Sequence, residues 1–173
     1  VREACAALVE KLGDGDSVSI VTFGSTPKVI LDPVVISKET RLKAKSAIAG
    51  MVADGTTDMA GGLKVALDQV RSRHEPNAIQ RVVLVGDGVP NDPGAVSALA
   101  NVAASWKIPV TTLGVGADFE ETLMAQVANT SGGTFHFVDE ASEVAKVFDQ
   151  ELTKLKRIAA RGTSVEIIPG PGV

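Results

Sequence analysis

The stretch Arg81-Val82-Val83-Leu84-Val85-Gly86 decides the fold. Four branched aliphatic residues in succession, closed by a glycine, leave no polar face. A strand of this kind is buried on both sides, as in a parallel sheet covered by helices. Beyond it, the polar loop Asp87 to Gly94 leads into a segment with Val96, Leu99, Ala100, Ala103 and Trp106 at helical spacing. Pro109 to Val115 is the next strand and Glu120 to Asn129 the next helix, stopped by Ser131-Gly132-Gly133. Thr134 to Val138 is a further strand. Asp139 is expected to cap a long last helix with Val144, Val147, Phe148, Leu152 and Leu155 inward.

Upstream of the decisive run the pattern repeats. Met59, Leu63, Ala66, Leu67 and Val70 mark a helix whose basic end, Arg71, Arg73 and His74, suits the negative pole of the helix dipole, and Pro76-Asn77 closes it. Ser37 to Met51 reads as another helix, with Ala44, Ala47, Ile48 and Met51 on one face. Lys28 to Leu31 is a short strand, close enough to Ser17 to Phe23 to be its hairpin partner. The first helix carries Val1, Ala4, Cys5, Leu8, Val9 and Leu12 and stops at Gly13-Asp14-Gly15. Strands alternating with helices predict an α/β fold: a doubly wound, mostly parallel sheet with helices on both faces and one antiparallel edge strand. Residues 1–158 form this domain. Thr163 to Ile168, followed by Pro169-Gly170-Pro171-Gly172, reads as a linker or the start of a following segment over 159–173.

Composition bounds the rest. The chain has 173 residues, 45% hydrophobic and 22% charged, which fits one globular domain and excludes disordered and fibrous classes. With 24 Val, five Phe, one Trp and no Tyr, the core is aliphatic and β-branched. A net charge of −4 argues against a nucleic-acid partner, which requires clustered Lys and Arg. The lone Cys5 excludes an internal disulfide and any multi-cysteine zinc site. No apolar run is long enough to span a bilayer.

A doubly wound sheet normally opens with the strand that becomes its centre, whereas this chain opens with a helix. Without that strand two sheet edges would stand unpaired in the core, each buried amide costing about 1–3 kcal/mol. An upstream segment of roughly 15–20 residues, one strand plus a loop, is therefore expected.

In open α/β sheets, ligands bind beyond the carboxyl ends of the strands. Asp87 leaves the buried run directly, in Gly86-Asp87-Gly88-Val89-Pro90-Asn91-Asp92, and Thr57 and Asp58 precede the helix that starts at Met59. A hydroxyl and a carboxylate meeting there are hard oxygen donors suited to Mg²⁺ or Mn²⁺. Each also has a plain structural reading: Asp58 as the N-cap of its helix, Thr57 and Asp87-Gly88 as turn residues, Asp92 before Pro93 as a helix start. His74 and His136 read as structural, and Cys5 as a small core residue.

Five ordered segments resemble the von Willebrand factor type A domain. They are Asp16 to Phe23, Gly55 to Leu63, Val83 to Asn91, Ile108 to Gly116, and Ala128 to Phe135, which together span Val1 to about Lys156. The resemblance implies a metal-ion-dependent adhesion site, with a Mg²⁺-type cation (Mn²⁺ and Ca²⁺ being substitutes) held by an Asp-x-Ser-x-Ser loop after the first strand, a Thr from a second loop and an Asp from a third. By resemblance Thr57 and Asp87 are the second- and third-loop ligands; Asp58 and Asn91, in the same two loops, are expected to support them. It further implies a protein partner that offers an acidic side chain to the open coordination position, and membership of a larger multidomain chain. Two departures stand out: the Asp-x-Ser-x-Ser loop is expected in the upstream segment, and Gly86 stands where the family usually has Thr. A metal-free scaffold of the same fold is the alternative reading. A Mg²⁺-dependent phosphatase of haloacid-dehalogenase type is less well matched, because Val89-Pro90 adds a residue to its Gly-Asp-Gly-x-Asn-Asp motif and no strand ends in its nucleophile loop. A dinucleotide-binding module lacks its glycine fingerprint.

Overall fold

The computed structural model describes residues 2–52, 55–73, 78–116, 119–139 and 141–156. Asp54, His74, Pro76-Asn77 and the expected strand Thr163 to Ile168 lie outside them. In chain order the elements are α1 (Arg2–Lys11), β1 (Ser17–Thr22), β2 (Lys28–Val35), α2 (Lys38–Ala49), α3 (Met59–Ser72), β3 (Val82–Gly86), α4 (Pro93–Ser105), β4 (Val110–Val115), α5 (Glu121–Ser131), β5 (Phe135–Val138) and α6 (Ala141–Lys156).

Local chemistry accounts for most of the boundaries. Ser37 and Thr40 form a reciprocal capping box at the start of α2. Asp58 caps α3 by accepting the Gly61 N–H at 2.9 Å. Asp92 caps α4 by accepting the Ala95 N–H at 2.9 Å, with Pro93 at the first helical position. Arg41, reaching from α2, donates to the Val9 and Leu12 carbonyls and so satisfies the end of α1. At the end of α5, Gly132 adopts φ +80° and the Gly133 N–H donates to the Ala128 carbonyl at 2.8 Å, a Schellman closure.

The strands β3, β4 and β5 form a parallel sheet in which Gly86, Gly114 and Phe137 share one row. Beside it β1 and β2 form a separate antiparallel pair, the hairpin expected from their nearness in sequence. Among the described residues β1 pairs with β2 alone and β3 with β4 alone, so each carries one edge without a strand partner. α3 packs on both sheets and spans the division; Gly62 makes this possible, because a Cβ there would lie 2.7 Å from Phe23 Cβ. β2 is also longer than expected, reaching Val35 through Pro33. It tolerates the proline because its register against β1 slips between Val18 and Ile20, which spares the ladder an N–H at that point.

The alternating side chains of β3 feed two cores. Val82 and Leu84 join Met59, Leu63, Val96 and Leu123 under α3, α4 and α5, while Val83 and Val85 face Leu113, Val138 and Phe148 under α6. A third cluster, Val9, Ala44 and Ile48, seats α1 and α2 over Ile20 and Leu31 of the antiparallel pair. The face beneath α6 holds one buried charge network. Glu151 of α6 accepts from Arg81 at 2.6 Å and lies 3.3 Å from His136 Nε2, and Arg81 also donates to the Thr111 hydroxyl at 2.8 Å. His136, between Phe135 and Phe137 on β5, thus meets the buried Glu151 carboxylate.

Candidate metal site at the carboxyl end of β3

Three segments meet beyond β3: the turn after β1, the loop 55–58 ahead of α3, and the loop 87–92 ahead of α4. Hydrogen bonds join them in pairs. The Asp58 N–H donates to the Gly24 carbonyl at 2.8 Å, and the Thr56 N–H to Ser25 Oγ at 3.3 Å. Gly55 permits this approach, having φ +62° and no side chain to meet Ser25. On the other side the Asn91 N–H donates to the Thr57 carbonyl at 3.1 Å, and Asn91 Nδ2 to the Thr56 hydroxyl at 3.2 Å.

Of the residues singled out from sequence, Thr57 is brought against the loop that carries Asp87. Thr57 Oγ1 lies 3.4 Å from the point a Cβ on Gly88 would occupy, immediately beside Asp87. Thr57 is half-buried and Asp87 exposed. Among the described residues neither the hydroxyl nor the carboxylate has a hydrogen-bond partner. Asp58 has a different task, since its carboxylate is committed to the α3 cap. Asn91 joins the loops. Ser25 and Thr56 also build this corner, and sequence reasoning passed over them; polar turn residues carry no local mark of which distant loop they will reach.

Gly86 forms the floor. It is buried, and a Cβ there would lie 3.1 Å from Met59 Cε and 3.6 Å from Met124 Cε. Two thioether methyls thus occupy the side of the site where the resemblance leads one to expect a hydroxyl.

The chemistry of the donors fits a hard divalent cation in part. Mg²⁺ favours oxygen, takes one or two carboxylates and retains several waters. Thr57 and Asp87 supply one hydroxyl and one carboxylate, and among the described residues no group of three His, Cys, Asp or Glu gathers to complete a shell. Nor is any helix of the described residues long and apolar enough to cross a membrane.

Comparison with known proteins agrees with this architecture. The family model described as von Willebrand factor type A domain matches residues 1–137. The chain is 25% identical over 172 residues to the uncharacterized protein YfbK of Escherichia coli K12, matching 96% of this chain and 30% of that one. It therefore spans about a third of the length of the curated relatives it matches, 30% of one and 37% of another. Among solved structures, a von Willebrand factor type A protein from Catenulispora acidiphila superposes with a TM-score of 0.81 at 21% identity, covering 88% of this chain and 37% of that one. BatB from Bacteroides thetaiotaomicron gives 0.77 at 18% identity, covering 90% and 86%. Proximal thread matrix protein 1 of the mussel byssus, with a zinc-occupied MIDAS motif, gives 0.72 at 18% identity, covering 90% and 39%.

Proposed function

The chain belongs to the von Willebrand factor type A domain family, and on that premise we propose that it is a non-enzymatic, divalent-cation-dependent protein-interaction module. One observation carries this reading. The Thr57 hydroxyl lies against Gly88, the residue after Asp87, and neither that hydroxyl nor the Asp87 carboxylate has a hydrogen-bond partner among the described residues. Their neighbours Ser25, Thr56, Asp58, Asn91 and Asp92 are all engaged. Two hard oxygens held uncommitted at a strand's carboxyl end are what a Mg²⁺-type cation requires of the protein. When bound, the cation supplies a positive centre with an open position for a partner's carboxylate. The zinc-occupied MIDAS motif of the mussel protein supports divalent-ion binding by this fold.

The remaining protein donors are assigned to an upstream Asp-x-Ser-x-Ser loop, following a strand that would lie between β1 and β3. The edges of those two strands that have no strand partner among the described residues support that placement, and the greater length of the relatives supports a larger multidomain protein. A metal-free scaffold is the second reading. It is favoured by the Gly86 floor, where methyls of Met59 and Met124 stand in place of a further oxygen.

The test is binding of a peptide rich in Asp and Glu to the intact protein, in Mg²⁺ and in a chelator, beside its Asn and Gln counterpart. Binding that needs both the cation and the carboxylates is the expected result. Equal binding in the chelator would contradict the proposal, as would Mg²⁺-dependent hydrolysis of an aryl phosphate that is lost in Asp87→Asn.

A further inference from the structure

Asn91 meets Thr57 as a strand neighbour would. Its N–H donates to the Thr57 carbonyl at 3.1 Å, and its Oδ1 accepts the Thr57 N–H at 3.4 Å. One residue of the opposite loop thereby occupies both main-chain groups of Thr57. Its remaining group, Nδ2, holds the adjacent Thr56 hydroxyl at 3.2 Å. None of these bonds uses Thr57 Oγ1, so the backbone is pinned while the side-chain oxygen is left over.

Asn91 is itself well anchored. Pro90 before it is buried, and Asp92 after it caps α4. The Asp87 loop and the Thr57 loop are thus referred to one rigid helix start rather than to each other's fluctuations. Both donors otherwise sit in loops, which are the segments whose ordering costs most when a ligand is captured.

We infer that Asn91 is a positioning residue that holds the Thr57 backbone, and with it the hydroxyl, against the Asp87 loop before any ligand arrives. The inference rests on the cation reading of this corner. Residues that orient a metal ligand typically change affinity by 10–100-fold when lost. Asn91→Ala in the intact protein is therefore expected to weaken Mn²⁺ binding about tenfold. In a Thr57→Ala background the same change should cost nothing further, because its route to the cation has gone. Hydrogen exchange of the 55–58 peptide, read without cation, should accelerate in Asn91→Ala. Asn91→Asp, which keeps the acceptor for the Thr57 N–H, should restore protection.

Mn²⁺ affinity unchanged in Asn91→Ala would overturn the inference. So would an equal loss in both backgrounds, or exchange at wild-type rates in Asn91→Ala. Failure of the unsubstituted protein to bind Mn²⁺ would instead remove the cation reading, and the loop clamp would then stand or fall on the exchange result.

Discussion

Glu151→Ala is expected to lower stability by about 3–5 kcal/mol, the usual cost of breaking a buried ion pair from one side. Glu151 is 3% exposed. Its carboxylate is held by Arg81 at 2.6 Å, near His136 at 3.3 Å. Removing it leaves the Arg81 guanidinium, 19% exposed, without its carboxylate, and leaves a cavity between α6 and the sheet. The loss belongs to the orphaned cation more than to the pair itself. Arg81→Met combined with Glu151→Met should therefore recover most of it. Urea unfolding of the two variants beside the wild type checks this, and in thermal unfolding Glu151→Ala is expected to lower the melting temperature by roughly 10 °C. A loss under about 1 kcal/mol for Glu151→Ala would mean that the network is not what fixes α6 to the parallel sheet.

Gly133→Ala should be nearly as damaging, for a steric reason. A Cβ at Gly133 would lie 2.1 Å from the Val110 carbonyl oxygen and 2.5 Å from its carbon. No rotamer relieves a clash with backbone, so α5 and β4 must separate. That movement also strains the bond from the Val110 N–H to Ser131 Oγ, 3.0 Å long and buried. Overpacking of this kind costs about 3 kcal/mol. Gly132→Ala is the control: it has open space but φ +80°, so only the left-handed backbone penalty of roughly 1–2 kcal/mol applies. Denaturant midpoints should order wild type above Gly132→Ala above Gly133→Ala. The reverse order would show that the tight approach of α5 to β4 is not obligatory.

The alternation of strands and helices was legible because it depends on near neighbours. The run Val82 to Val85, the caps Asp58 and Asp92, and the stop at Gly132-Gly133 each state their role within a few residues. Long-range geometry was less legible. Pro33 reads locally as a strand terminator, yet a register slip against β1 lets β2 run through it. The β1–β2 hairpin was legible from the nearness of the two strands, whereas the order β3-β4-β5 is chosen across the fold.

The candidate site divides in the same way. Thr57 and Asp87 stand out as a hydroxyl and a carboxylate next to predicted elements, but the bonds that make Asn91 a bridge span 34 residues. Gly86 could be seen to lack a hydroxyl. That its missing Cβ is covered by Met59 and Met124 could not. Glu151 did carry a signal: it falls three residues after Phe148 on the inward face of the last helix, where a charge must find a buried partner.

The cation site itself is tested most directly by calorimetric titration of Mg²⁺, then Mn²⁺, into the metal-stripped intact protein and into Asp87→Ala. Saturable binding of one ion per chain, abolished in Asp87→Ala while its unfolding midpoint stays that of the wild type, is the predicted result. No binding of either ion to the wild type, or equal binding to both proteins, would contradict a cation held by Asp87 and leave the fold as a metal-free scaffold.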